Sequence, residues 1–322
     1  MTQAPVQFQA RPLSSSTRAR RLASYLFISP FFIFFLVFAL FPTLFSFYLS
    51  FQKWRQTSGL GEMKFSGLEN YHFTLFSDPW FWKAVGNTLI LGVYGLLLQP
   101  IALVLAFAIL VGLKRFRSLV TALYFLPYIT STVAVALIFT VVYSKNTGLL
   151  NAFLSTLHGL PLVGGLFPNG GVDWLGDPNT VKPAIALVVL WRYLGWNVLL
   201  HLSRMQAIPQ DLYDAAKIDG ASTGQQFRFV TLPQLMPMLF LTVSLTIIGQ
   251  MQLFDEPYVL VGGEGGWAQA GLTVATYLYT TAFKFGDAGT AAAMGWILFA
   301  GILALSTLNN RIFGAQGRAR GE

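Results

Sequence analysis

One charged side chain lies inside a stretch of sequence that is otherwise apolar. Arg192 is about nine positions from the start of the stretch 183–203. A guanidinium exposed to lipid is costly, so charges inside apolar helices usually serve a function. We therefore expect Arg192 to line a polar path. Two alternatives stay open: the side chain extends outward past Trp191, or it pairs with a carboxylate of a neighbouring helix.

Amide side chains also interrupt the apolar stretches, at Gln99, Asn197, Gln250 and Gln252. Amides can hydrogen-bond polyhydroxylated solutes, and the same groups can instead join one helix to another. Gly249 favours the first interpretation for Gln250 and Gln252, because a residue without a side chain lets a solute approach closely. The predicted path residues are Arg192, Asn197, Gln250, Gln252 and Asp255.

The chain has no energy source of its own that we can identify. A phosphate-binding loop requires Gly-Lys after a glycine-rich turn, and this dipeptide is absent from the sequence. Ion-coupled carriers use carboxylates at mid-depth. Here Asp255 and Glu256 lie ~27 Å beyond the start of their stretch at ~1.5 Å per residue, near the outer interface. Energy is therefore expected from another subunit.

Catalytic and metal sites are not expected. No His–carboxylate pair or pair of carboxylates accompanies a nucleophile, so we do not predict an enzyme. Cysteine is absent, and His72, His158 and His201 are too scattered for a metal cluster. We interpret His201 as a satisfied structural group. No cofactor is predicted.

The composition is that of an integral membrane protein. Apolar residues make up 54% of the 322 residues, charged residues make up 11%, and the mean hydropathy is +0.58. Six apolar stretches are long enough to cross a ~30 Å hydrocarbon layer. We predict an all-α fold with six transmembrane helices. The predicted spans are 22–50, 84–113, 118–143, 183–203, 237–254 and 288–312.

Basic residues are unequally divided between the two faces that six spans create. The face with both termini carries 13 basic and four acidic residues, and the opposite face carries seven basic and nine acidic residues. Because basic residues near span ends stay in the cytoplasm, we place the tails 1–21 and 313–322 and the segment 205–233 there. The net charge of +8 thus reflects topology, and no binding to nucleic acid is expected.

The segment 205–233 is the longest that is neither apolar nor rich in turns. Pro209 suits the start of a helix, and Asp211 and Asp214 place negative charge at the positive end of that helix. The helix would carry one apolar stripe, which faces a partner or the body of the protein. The stripe consists of Leu212, Ala215, Ala216 and Ile218.

A turn and a second helix should follow. Gly220 stands where a left-handed residue would end the first helix. Ser222 and Gln225 fit a capping box, so the second helix should run from Thr223 until Pro233 disturbs it. The segment is predicted to form a helix, a glycine turn and a second helix.

Tyr213-Asp-Ala-Ala-Lys-Ile-Asp-Gly-Ala221 resembles the EAA loop of permease subunits of bacterial ATP-binding cassette importers. Its position before the last two spans is also typical of that family. Other stretches are similar to the carbohydrate-uptake branch, the maltose and glycerol-phosphate type, and the resemblance covers about 24–312. These stretches are Asn87-Thr88-Leu89, Leu126-Pro127, Val133–Leu137, Gly195, Ile208-Pro209, Phe254-Asp255, Tyr258–Leu260 and Gly262-Gly263, whereas Phe227, Leu232-Pro233 and Pro237 belong to the resemblance to the EAA loop.

The chain departs from the family pattern in two places. Asp214 replaces the usual glutamate, which shortens the reach of the carboxylate by one methylene group. Glu264 and Gly265 interrupt what is often a longer Gly-Gly-Pro run, so that loop does not identify the solute.

The resemblance implies a type I importer fold, a location in the bacterial plasma membrane and a set of partners. The partners would be a second homologous permease subunit, two ATPase subunits, an extracytoplasmic solute-binding protein and membrane lipids. In the family the EAA loop docks in a cleft of the ATPase and couples its closure to the spans. The corresponding residues are Tyr213, Asp214, Ala215, Ala216, Asp219, Gly220 and Ala221.

A sugar or oligosaccharide is the solute that this branch implies. Alternatives are a permease for a polyol, glycerol phosphate or oligopeptide, and a channel or ion-coupled carrier that works alone. For 205–233 itself the alternative is a helical hairpin that only links two spans.

Overall fold

The computed structural model describes most of the chain and is mostly helical, which confirms the predicted all-α class. A short antiparallel hairpin joins β1 (Gln52–Lys53) to β2 (Lys64–Phe65). Two compact units divide at Tyr48 and Leu49. The described residues are 17–55, 57–113, 115–161 and 164–318, with side chains described except at 17–24, 60 and 314–318.

Fourteen α-helices occur within these residues. They are α1 (Thr17–Phe35), α2 (Phe41–Leu49), α3 (Glu69–His72), α4 (Pro79–Gly112), α5 (Arg117–Ile129), α6 (Thr132–Val142), α7 (Leu149–His158), α8 (Val181–Gln206), α9 (Gln210–Ile218), α10 (Thr223–Gln226), α11 (Leu232–Met251), α12 (Asp255–Val261), α13 (Val274–Tyr279) and α14 (Ala288–Arg318). Helix α1 begins within the predicted tail 1–21, and α14 continues past 312. The remainder of both predicted tails, 1–16 and 319–322, lies outside the described residues.

Five helical segments of the described chain are long and apolar enough to cross a membrane, and a bent pair would make a sixth. The five are Tyr25–Leu49, Pro79–Gly112, Val181–Gln206, Thr223–Val261 and Ala288–Phe313.

The bent pair covers the span that we predicted over 118–143, which is therefore not one straight helix. Helices α5 and α6 meet at 93°, and Thr130 between them is extended, with φ −76° and ψ 148°. Helix α5 lies against α8 at Gly195, where an added Cβ would be 1.7 Å from the Tyr124 carbonyl oxygen. Hydropathy records only that such a stretch is apolar, so it could not indicate this change of direction.

Pro233 disturbs the second helix of the segment 205–233 but does not end it. A π-helical turn, Phe227–Thr231, connects α10 to α11, and the Leu232 amide donates to the Phe227 carbonyl. A wider turn relieves the clash between a proline ring and the carbonyl four residues earlier. A turn of the same kind, Leu36–Leu40, precedes Pro42 in the first unit. The fifth span is therefore continuous with the loop before it.

Small residues of α4 allow close packing against α8 and α11. Ala102 and Ala106 are fully buried, and they contact a cluster that includes Val198, Leu202 and Leu235. Small residues at helix interfaces let backbones approach, which increases dispersion contact where lipid supplies no hydrophobic driving force. The packing of these three helices positions the polar residues of the spans.

Asn87 and Thr88 near the start of α4 hold the loop that follows α12. The Asn87 amide donates to the carbonyls of Gln269 and Leu272 at 2.9 and 3.0 Å. The Val274 amide donates to the Thr88 hydroxyl at 3.0 Å. The buried backbone of this loop thus obtains its hydrogen-bond partners from a span nearly two hundred residues earlier in sequence.

Candidate functional site

A cavity of about 310 Å³ lies among α4, α5, α8 and α11. Its aliphatic lining comes from all the helices except α5. The lining residues are Leu91, Tyr94, Gly95, Leu98, Tyr128, Ala186, Val189, Leu190, Tyr193, Trp196, Asn197, Leu200, Thr242, Leu245, Thr246, Gly249, Gln250 and Leu253.

Aromatic rings form one wall of this cavity. Tyr128 stacks on Trp196 with ring centroids 4.8 Å apart and planes 14° apart. Tyr193 meets Tyr128 edge-on, at 5.8 Å and 68°. Tyr128 lies in the last turn of α5, immediately before the bend to α6, and therefore the bend helps to determine where this ring stands. Sequence reasoning did not single out these three rings.

Asn197 lines the cavity, but its amide is largely engaged within the protein. Its Oδ1 accepts from Gln99 Nε2 at 3.0 Å, and its Nδ2 donates to the Tyr193 carbonyl at 3.0 Å. Gln99 also donates to Thr246 at 2.7 Å. These bonds join α4, α8 and α11, which is the helix-joining alternative that we considered for the amides.

His201 extends this network towards the end of α8. It is fully buried, and its Nε2 lies 3.2 Å from Gln99 Oε1. Its Nδ1 has no hydrogen-bond partner among the described residues. We interpreted His201 as a structural group with satisfied hydrogen bonds, and this is true of Nε2 but not of Nδ1.

Gln250 is the more available amide of the cavity. Its side chain lies on Gly95, where an added Cβ would be 2.5 Å from Gln250 Cδ. Within the described chain its amide makes no side-chain hydrogen bond, and an added Cβ at Gly249 would have no heavy atom within 4 Å. Gly249 and Gln250 thus leave room and hydrogen-bonding capacity on the α11 side of the cavity.

Gln252 and Asp255 lie outside the cavity lining. Helix α11 ends at Met251, Gln252 caps it, and both Gln252 and Asp255 are exposed. The helical register is lost at this break, so two glutamines that are two positions apart in sequence have different surroundings. Of the five predicted path residues, the structure brings Asn197 and Gln250 to the cavity.

Arg192 is also absent from the lining, and it pairs with Glu256 of α12. Its Nη1 lies 3.2 Å from Glu256 Oε1, and the two side chains are 11% and 3% exposed. The same Nη1 donates to the Tyr193 hydroxyl at 2.9 Å. Pairing with a carboxylate of a neighbouring helix is one of the two alternatives that we left open for Arg192. Sequence reasoning missed Glu256 as the partner, although a lone charge within a span requires one.

The helix α9 of the segment 205–233 has no buried residue. Leu212 and Ile218 of its apolar stripe are 41% and 87% exposed. Asp214 accepts from Gln210 at 3.1 Å and from Lys217 at 3.2 Å, and these two contacts hold the pKa of its exposed carboxyl below the ordinary value. The stripe therefore faces away from the body of the chain.

The turn after α9 has the conformation that the sequence predicts. Gly220 has φ +77°, and an added Cβ there would have no heavy atom within 4 Å. Ser222 and Gln225 form the predicted capping box. The Tyr213 hydroxyl lies 2.9 Å from the Thr231 hydroxyl, which links α9 to the π-helical turn below α11.

The other residues predicted for this loop lie close to the same turn. Asp214, Ala215 and Asp219 are exposed, whereas Ala216 and Ala221 are half-buried. Asp219 caps α9 at its C-terminal end. The predicted set is therefore contiguous in space and mostly accessible.

Comparison with known proteins places this arrangement among transport proteins. Residues 99–318 match the family described as binding-protein-dependent transport system inner membrane component. The arabinooligosaccharides transport system permease protein AraP of Bacillus subtilis (strain 168) is 34% identical over 92% of this chain and 90% of its own length. The lactose transport system permease protein LacF of Rhizobium radiobacter is 34% identical over 92% and 95%. The trehalose/maltose transport system permease protein MalF of Thermococcus litoralis (strain ATCC 51850 / DSM 5473 / JCM 8560 / NS-C) is 32% identical over 88% and 90%.

Two solved structures have a similar fold. A bacterial ABC transporter involved in the import of the acidic polysaccharide alginate matches with a TM-score of 0.78, 24% identity and coverage of 94% of this chain and 98% of that chain. A bacterial alginate ABC transporter in complex with an alginate pentasaccharide-bound periplasmic protein matches with a TM-score of 0.75, 25% identity and coverage of 91% and 94%.

Proposed function

Because this chain belongs to the family of binding-protein-dependent transport system inner membrane components, we propose that it is a permease subunit of an ATP-binding cassette importer for a sugar or oligosaccharide. A membrane component of a transport system is not an enzyme, in agreement with the sequence. ATP hydrolysis belongs to separate subunits of such systems.

The cavity supports the choice of a sugar as the solute. Rings of Tyr128, Tyr193 and Trp196 offer apolar faces, and the Gln250 amide offers a donor and an acceptor. A sugar has a C–H face and many hydroxyl groups, so it matches a site with a mainly apolar lining and few polar groups. The cavity volume of about 310 Å³ is at the lower end for ligand sites, and a second homologous permease subunit would complete the path.

The exposed helix α9 supports the coupling role of the segment 205–233. Its exposed stripe offers a contact surface to an ATPase subunit, and the Tyr213–Thr231 contact connects that surface to the fifth span. A rigid helix that is anchored in this way can pass movement of the ATPase to α11. The docking residues of this proposal are Tyr213, Asp214, Ala215, Ala216, Asp219, Gly220 and Ala221.

We place the chain in a bacterial plasma membrane with both termini in the cytoplasm. The support is the excess of basic residues on the face that carries the termini and 205–233. The membrane domain would be 22–312, between cytoplasmic tails 1–21 and 313–322. Two ATPase subunits would meet the cytoplasmic face, and a solute-binding protein would deliver the sugar on the opposite face.

Uptake by the assembled importer tests the proposal. This chain is reconstituted in proteoliposomes with its partner permease, ATPase and solute-binding protein, and radiolabelled oligosaccharides are offered with ATP on the cytoplasmic side. We expect ATP-dependent uptake. Uptake of polyols, glycerol phosphate or oligopeptides alone would favour another solute class, and uptake driven by an ion gradient without ATP would overturn the importer.

Co-purification with the ATPase tests the coupling loop separately. Deletion of 210–224 should abolish binding of the ATPase and uptake, while the variant still reaches the membrane. If assembly and uptake survive the deletion, the segment is only a linker between spans.

A further inference from the structure

The buried pair of Arg192 and Glu256 touches the cavity through one intermediate group. Neither side chain is part of the lining, whereas the ring of Tyr193 is. Nη1 of Arg192 donates both to Glu256 Oε1 at 3.2 Å and to the Tyr193 hydroxyl at 2.9 Å. The guanidinium carbon also lies 5.0 Å from the centroid of the Tyr193 ring. A carboxylate on α12 is thus connected to a wall of the cavity on α8.

The Tyr193 hydroxyl is left with one unused hydrogen. A phenol hydroxyl can accept and donate at once, and Arg192 uses its accepting side. No acceptor for its hydrogen occurs in the part of the chain that the structure describes. The hydrogen is therefore left for an acceptor outside the described residues, and Tyr193 itself lines the cavity.

From this geometry we propose that Arg192 and Glu256 are positioning residues that hold Tyr193 as a hydrogen-bond donor to the sugar. The inference rests on the proposed function, since it requires a hydroxylated solute in the cavity. Glu256 fixes the guanidinium, the guanidinium occupies the accepting side of the phenol, and the phenol then has only its hydrogen to offer. Because the Tyr193 hydroxyl is held in place, it can donate to an acceptor oxygen of the solute without first being reoriented. A water molecule in the same place would have to be reoriented first.

The alternative role for the ion pair is to join α12 to α8. That role needs the bond from Arg192 to Glu256 and nothing from Tyr193. The guanidinium does not use its full bonding capacity on the carboxylate, because one Nη1 is shared with the phenol and Nε has no partner among the described residues. A bidentate pair would be the stronger way to join two helices. The observed geometry favours contact with Tyr193.

Solute affinity of the reconstituted importer separates the two roles. The variants are Tyr193→Phe, the double variant Arg192→Gln/Glu256→Gln, which leaves no unpaired charge, and the combination of all three. We expect each of the first two to raise the KM for uptake about threefold to tenfold, the range for loss of one neutral hydrogen bond, with little change in maximal rate. The combination should raise KM no further, because all three changes remove the same interaction.

Controls address folding and general electrostatics. Lys53→Gln/Glu69→Gln removes an exposed ion pair away from the cavity and should leave KM unchanged. Arg192→Lys keeps the charge of the buried pair but cannot reproduce the guanidinium geometry, so it should assemble and raise KM. If the double glutamine variant fails to assemble, the KM of Arg192→Lys decides between the two roles of the ion pair.

Three results would overturn the inference. One is an unchanged KM in Tyr193→Phe, another is an unchanged KM in both Arg192 variants, and the third is additive effects in the combined variant. In each of these the wild-type importer still takes up sugar, so the proposed function stands. Absence of sugar uptake by the wild-type importer would instead overturn the proposed function, and the role of Tyr193 with it.

Discussion

The cavity region and the segment 205–233 are both polar interruptions of an apolar chain, but they are built in different ways. Around the cavity, polar groups are buried and find partners far away in sequence, such as Gln99 with Asn197 and Arg192 with Glu256. In 205–233, α9 has no buried residue, and apart from the contact of Tyr213 with Thr231 the polar groups bond within three to five positions. We infer that the first region depends on packing and the second on local conformation.

Changes that alter packing at the cavity region should have the largest effect. Gly195→Ala places a Cβ 1.7 Å from the Tyr124 carbonyl oxygen, and neither backbone can move without separating α5 from α8. We expect a loss of about 3 kcal/mol or more in the free energy of unfolding. Unfolding in mixed micelles and the yield of assembled importer measure this effect.

Gly301→Ala is the matched control for this change, because an added Cβ there has no heavy atom within 4 Å. It should behave like the wild type. If Gly195→Ala were equally well tolerated, the close contact of α5 with α8 would not exist in the membrane.

Removal of one charge of the buried pair should have an effect of similar size. Glu256→Ala leaves the Arg192 guanidinium unpaired in a low-dielectric site, which typically costs about 3–5 kcal/mol of the free energy of unfolding. Replacement of both by apolar residues, Arg192→Met/Glu256→Leu, should recover most of that stability.

The exposed pair of the other region gives the comparison. Asp214→Ala removes a solvent-screened contact with Lys217 and should not change unfolding measurably. Equal destabilisation by Glu256→Ala and Asp214→Ala would show that burial does not distinguish the two regions.

Gly220 tests the local conformation of the loop. Alanine at φ +77° is strained by about 1 kcal/mol, although the surrounding space is open. We therefore expect Gly220→Ala to lower the ATPase activity that is stimulated by solute-loaded binding protein, with little change in unfolding of the spans. Gly224→Ala is the control, because Gly224 lies in α10 and has equal space. Equal losses in both variants would contradict a role for the left-handed turn.

Tyr213 tests the connection between the two regions. Tyr213→Phe removes the 2.9 Å contact with Thr231 and should cost about 1 kcal/mol locally. If this contact passes movement to α11, the variant should hydrolyse ATP with less sugar transported for each ATP. A normal ratio of transport to hydrolysis would mean that the contact is only structural.

The pH dependence of Asp214 should be the smallest effect. Contacts with Gln210 and then Lys217 lower the pKa of this carboxyl below its usual 3.8, so their stabilisation is present above that value and is lost only as pH falls through the lowered pKa. The ratio of uptake by Asp214→Asn to uptake by the wild type should therefore stay constant between about pH 5.5 and 8. A ratio that changes within this window would show that Asp214 titrates there.

The segment 205–233 shows how far local signals reach. The capping box at Ser222 and the left-handed Gly220 were predictable, because each depends on atoms within a few residues. The predicted disturbance at Pro233 takes the form of a π-helical turn, which accommodates the ring and lets the helix continue. A proline indicates that a hydrogen bond is missing, but it does not decide whether the helix ends or widens.

The residues predicted to line a path show where such signals stop. Gln250 and Gln252 looked equivalent in sequence, yet α11 ends between them, and one lines the cavity while the other is exposed. Tyr128, Tyr193 and Trp196 were not distinguished from the other aromatic residues, because their common wall appears only when α5 bends and packs against α8.

The sequence by itself determined the membrane class, the helical fold and the conformation of the turn at Gly220, since hydropathy, capping and glycine conformation are properties of contiguous residues. Only the tertiary structure decided which polar groups meet. The partners of Asn197 and Arg192 lie 98 and 64 positions away, and no local preference selects one partner at such a separation. Packing of α4, α8, α11 and α12 makes that choice, because a buried polar group is stable only where another group satisfies it.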